Sequence, residues 1–60
     1  MRFNVYVDKE KFGNASSFAI DAEYYETIDN VVVFGSKDDK AVASFAVEYV
    51  YGIVRVADEQ

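Results

Sequence analysis

Apolar and polar residues alternate one for one along short stretches of this chain, a period of two that points to β-strands. Phe3, Val5 and Val7 fall on one side of the first stretch, and Arg2, Asn4, Tyr6 and Asp8 on the other. This is the pattern of a strand from Arg2 to Val7 with one face buried. The segment Asp8 to Ser17 is polar and charged. It holds Gly13-Asn14, a pair that tolerates positive φ, and reads as a long loop. Phe12 is its one large apolar residue and is expected to fold back as a lid on the core.

The second strand is expected over Phe18 to Thr27, with Phe18, Ile20, Ala22 and Tyr24 inward and Ala19, Asp21, Glu23 and Tyr25 outward. A helix with Ser17 as N-cap is the rival over residues 17–25. Alternation and adjacent aromatics favour the strand. Asp29-Asn30 suits the two positive-φ positions of a type I′ turn. A third strand, Val31 to Gly35, is apolar on both faces, and a charged turn through Lys37-Asp38-Asp39-Lys40 leads to a fourth from Ala41 to Val47. Alternation fails from Glu48 to Gly52, which predicts a kink, bulge or short 3₁₀ turn before a fifth strand near Ile53 to Val56. Ala57 to Gln60 reads as a frayed acidic tail.

Five short antiparallel strands make an all-β single domain spanning 1–60. The outline is that of a small SH3-like barrel or a strongly curved meander, with the kink before the last strand. At 60 residues without a single Cys or His, neither disulfides nor a Cys/His zinc site can hold it together. A partner subunit or an efficient core must. A barrel this small has one interior, so the two-sided strand needs cover on its other face, from the long loop with Phe12 or from a second subunit, and the second is favoured. Val31, Val33 and Phe34 are therefore the candidate self-association residues of a C₂ homodimer.

The same absences argue against chemistry. No His stands ready to activate Ser16, Ser17, Ser36 or Ser44, and the glycines are isolated, so covalent catalysis and a phosphate-cradling loop are not expected. Asp21 and Glu23, about 7 Å apart on one strand face, are spaced like paired catalytic acids, but a chain this short has little room for a cleft. Asp38-Asp39 lacks the pattern of a calcium loop. No cofactor, metal or catalytic residue is expected.

The formal net charge of −5 argues against direct nucleic-acid binding and against attachment to anionic membranes, and suits a basic protein partner instead. No stretch approaches a membrane span and the N-terminus lacks a leader pattern, so a cytoplasmic chain complete from Met1 is expected. Asp21, Glu23, Tyr25 and Glu26, with Tyr49 and Tyr51 around the kink, form the candidate partner-binding set. Tyrosine combines apolar area with a polar tip. Asp21, Glu23, Glu26, Asp29 and Glu48 together could imitate the charge of DNA.

Tyr24-Tyr25-Glu26, Asp29-Asn30, Val31-Val32-Val33-Phe34, Lys37-Asp38-Asp39-Lys40 and Ala41-Val42-Ala43-Ser44-Phe45 follow one another in about half the chain. This order resembles that of small acidic β-proteins encoded in phage and prophage genomes, some of which block host immunity by binding a defence protein. The resemblance implies a non-enzymatic inhibitor of that type, acting in the bacterial cytoplasm, and assigns no residue a role. The alternative is a structural or regulatory β-module acting as an oligomer. The Ala-Leu-Tyr-Asp-Tyr run and the Trp pair of peptide-binding SH3 domains are absent.

Overall fold

The computed structural model describes residues 1–57. It is all-β, with six strands rather than the five expected: β1 (Arg2–Val7), β2 (Ser17–Asp21), β3 (Tyr24–Ile28), β4 (Val31–Gly35), β5 (Ala41–Ala46) and β6 (Val50–Val56). They form two antiparallel three-stranded sheets, ordered β2-β1-β6 and β3-β4-β5, which are not closed into a barrel. The second sheet is a simple meander. The first joins opposite ends of the chain, with Arg2 opposite Val56.

The extra strand arises because the stretch expected over Phe18 to Thr27 turns a corner at Ala22-Glu23. There the Ala22 N–H donates to the Met1 carbonyl at 2.9 Å, on the first sheet, and the next N–H, that of Glu23, donates to the Gly35 carbonyl at 2.8 Å, on the second. Ala22 is small enough to be buried inside the bend. A second corner carries the chain back. The 3₁₀ turn Val47–Tyr49 donates its Val47 N–H to the Asn30 carbonyl, and the Tyr49 carbonyl accepts from the Asp8 N–H. This is the break expected between Glu48 and Gly52, placed slightly earlier. Register then slips by one residue, so that Tyr6 faces Gly52 and Val7 faces Val50, leaving Tyr51 as a bulge.

The Asp29-Asn30 turn has both φ angles positive, at 50° and 67°, as a type I′ turn requires. Gly13 and Asn14 likewise sit at positive φ. Part of the first loop is a 3₁₀ turn, Lys9–Lys11, capped by the Asp8 carboxylate accepting from the Glu10 N–H at 3.1 Å.

The core lies between the two middle strands. β1 contributes Phe3, Val5 and Val7, and β4 contributes Val32 and Phe34, with Ala22 at the corner; no polar or charged side chain among the described residues is buried. All five phenylalanines and two tyrosines join in one run of rings. Tyr25 meets Phe3 and Phe34, Phe34 meets Phe45, Phe45 meets Phe18 and Phe12, and Phe12 meets Tyr49, with centroids 5.5–6.3 Å apart. Phe12 is thus the expected lid.

Phe34 is the hub of this run and is fully buried. Truncating it should cost about 3–5 kcal/mol, comparable with the whole stability that a core of this size supplies. A urea titration of Phe34→Ala followed by circular dichroism should show little or no folded baseline. A midpoint close to that of the parent would contradict the hub role.

Candidate functional site

The corner at Ala22-Glu23 redistributes the residues expected to bind a partner. Asp21 ends β2 on the outer face of the first sheet, where the Arg2 Nε donates to its Oδ1 at 3.3 Å. Both side chains are exposed, so the pair adds little stability. Glu23 sits on the corner, 4.0 Å from the N-terminal ammonium. Glu26 lies in β3 opposite Val33, on the outer face of the second sheet. The three carboxylates therefore do not form a ladder on one strand face. Among the described residues no group of three or more Asp or Glu side chains is close enough to hold a metal ion.

The corner also shifts the alternation by one residue. Inward positions of β2 are Phe18 and Ile20, as expected, but in β3 it is Tyr25, not Tyr24, that turns to the core side. Its ring packs on Phe3 edge-on at 5.5 Å and on Phe34 at 5.5 Å. Tyr25 keeps a partly exposed edge, 44% of its surface, and is a core ring with a wet rim rather than a free outer one. Tyr24 lies across Gly35, its cross-strand partner, on the opposite face. A Cβ at Gly35 would run into the end of the Tyr24 ring, so glycine lets that ring lie flat across the strand and any larger residue would push it aside.

Tyr49 and Tyr51 separate as well. Tyr49 belongs to the 3₁₀ turn, is half-buried against Phe12, and has the Lys11 ammonium 5.7 Å from its ring centroid, within cation–π range. Tyr51 is pushed outward by the bulge and is the most exposed large hydrophobic residue among the described residues, at 73%. Tyr6 is exposed on the outer face of β1, as expected. Of the self-association set, Val31 and Val33 are half-buried on the outer face of β4, whereas Phe34 is fully enclosed and offers no surface to a second copy.

Open grooves mark the surface of the described residues. One of about 430 Å³ is lined by Asp29, Asn30, Val31, Ala46, Val47 and Glu48. It exists because the Val47 N–H bonds the Asn30 carbonyl, which brings Asp29 and Glu48 to one place. Exposed Ile28 and Val47 lie beside it, and no Lys or Arg lines it. A second, also about 430 Å³, is lined by Tyr6, Val7, Asp8, Lys9, Glu10, Ser16 and Tyr51. A third, about 280 Å³, lies at the first corner between Met1, Asp21, Ala22, Glu23, Ser36, Lys37 and Asp38. No helix among the described residues is long and apolar enough to cross a membrane. No protein-family model, curated protein sequence or solved structure matches the chain.

Sequence reasoning missed Tyr24. Its hydroxyl donates to the Asp39 carboxylate at 3.3 Å. Burial raises its pKa above the ordinary 10.0, and the negative charge of Asp39, the hydrogen bond to it and the charge of Glu26 raise it further. The sign of the linkage follows. A folded-state pKa above the unfolded one gives a contribution to stability that is complete below pH 10 and is lost as pH rises through the folded value. Asp39→Asn should shift the Tyr24 titration part of the way down toward the ordinary range, leaving the share due to burial. The difference in tyrosinate absorbance between each protein and its Tyr24→Phe counterpart checks this. An unchanged titration would show that Asp39 plays no part.

Proposed function

We propose that the protein is a non-enzymatic interaction protein, an inhibitor encoded by a phage or mobile element that binds a basic defence or nucleic-acid-processing protein in the host cytoplasm. The observation that carries this reading is the groove between Asp29 and Glu48. Two carboxylates from turns 19 residues apart meet there beside exposed Ile28 and Val47, with Glu26 along the same outer face and no cation in the lining. Apolar surface ringed by one sign of charge fits a partner whose own apolar patch is ringed by the other. The net charge of −5 adds long-range attraction to such a partner. The architecture is read as SH3-like from its long first loop, its β2–β3 stretch divided between the sheets and its 3₁₀ turn ahead of the last strand. That reading implies no function by itself.

Affinity capture from a bacterial lysate tests the proposal. Capture of a basic protein that is lost with Asp29→Lys/Glu48→Lys, and that weakens steeply as salt is raised, is the expected result. Capture unaffected by the double charge reversal rejects this surface. Retention that is independent of salt rejects imitation of DNA charge.

A second reading, an oligomeric β-module, is favoured by the partly exposed apolar outer face of the second sheet. Ile28, Val31 and Val33 lie there, and the edge strand β5 carries no charge along Ala41–Ala46. Uncharged edges are open to pairing with another chain. Sedimentation at micromolar concentration should then give twice 6.8 kDa, with Val33→Asp returning the protein to a monomer. A parent mass of 6.8 kDa would reject it.

A further inference from the structure

Two of the three glycines are fixed by a positive φ or a close ring, and the third follows the bulge at Tyr51. Gly13 adopts a φ of +62°, and Gly35 gives way to the Tyr24 ring. Gly52 lies inside β6, outside the left-handed region, and a Cβ there would meet nothing within 4 Å. Glycine within a strand weakens it and accompanies a bulge or a close approach of another group; here it does the first and leaves room for the second. The register shows which side is kept clear. Gly52 faces Tyr6 across the β1–β6 pair, and directly paired residues share a face. The missing side chain therefore leaves room beside the Tyr6 ring on the outer face of the first sheet. The adjacent bulge throws Tyr51 outward over the same region. Gly52 is not itself in its lining, but the two rings border a groove of about 430 Å³ that Asp8 and Glu10 also line.

We infer that this groove receives an arginine side chain from an extended segment of the partner, with its guanidinium between the Tyr6 and Tyr51 rings and its charge toward Glu10. Tyrosine faces attract cations, and a guanidinium both stacks on rings and pairs with carboxylates. One Asp8 oxygen already accepts the Glu10 N–H, so Glu10 is the freer carboxylate. Lys9 is the single cation of the lining, and the lining as a whole favours a positive ligand over a negative one. The inference rests on the basic partner proposed above and adds a second contact point to it, on the other sheet.

The test uses a blocked Gly-Arg-Gly peptide as probe, its citrulline analogue as the uncharged control of the same shape, and amide chemical shifts as the readout. The expected result is a saturable shift of amides in residues 6–10 and 50–52, with binding at least tenfold weaker for citrulline. Gly52→Leu, whose Cβ meets nothing within 4 Å, and Tyr51→Ala, which removes an exposed ring, should each weaken the arginine peptide by a similar factor. Should Gly52→Leu lose its amide dispersion, Tyr51→Ala carries the test alone. Shifts scattered over the acidic surface, equal binding of citrulline, or parental affinity in the folded variants would each overturn the site. Loss of capture with Asp29→Lys/Glu48→Lys alongside intact capture with Tyr51→Ala would overturn this inference while leaving the proposed function standing.

Discussion

The run of aromatic rings between the sheets is the interaction on which the rest of the molecule depends. The chain has no disulfide and few fully buried residues, and its middle strands meet only through side chains. Phe3 from one sheet and Phe34 from the other lie 5.6 Å apart, and the remaining rings extend that contact in both directions to Tyr25 at one end and Tyr49 at the other. Each such pair adds about 0.5–1.5 kcal/mol beyond the area it buries, a large increment for a domain of this size. The high aromatic content thus goes largely into the interior, in a form that also ties the first loop down through Phe12.

Much of the fold was legible because its signals are local. Alternation marks β1, the Asp29-Asn30 pair marks the tight turn, and the loss of alternation after Val47 marks the second corner. What was hidden is the corner at Ala22-Glu23. No glycine or proline announces it, and Phe18 through Thr27 alternates as a single strand would. The bend is set by two backbone hydrogen bonds to different sheets, to the Met1 and Gly35 carbonyls, and such long-range partners leave no trace in local pattern. One overlooked bend exchanges Tyr24 and Tyr25 between faces, since the side-chain period is two. It also breaks up the acidic ladder. Phe34 was misplaced for a different reason. A strand that is apolar on both faces does not say which side is inside, and only its pairing with Tyr25 and Ala43 decides.

The candidate surfaces follow from the same geometry. Because the interior takes the rings, the outer faces are left with aliphatic residues and carboxylates, and the turns gather the latter. Asp29 and Glu48 were each visible as acidic residues, but their meeting was not, since it depends on a turn-to-turn hydrogen bond. Tyr51 stands out from Tyr49 only because the bulge interrupts their shared parity. Gly52 could have been noticed from sequence as a weak point in a strand. That nothing fills the space beside it required the fold.

The pairing of β1 with β6 has a consequence for how the chain comes into being. β1 leaves the ribosome early, yet one of its two hydrogen-bonding neighbours is made last of the six. Until then the β3-β4-β5 meander has all its strands and only nearby contacts to make, whereas the first sheet has an open side and an apolar inner face without its full cover. Contacts between distant parts of a chain are the slow ones to form. Losing the final strand would leave β1 with a single neighbour and uncover the first sheet's inner face, a far larger loss than a frayed end.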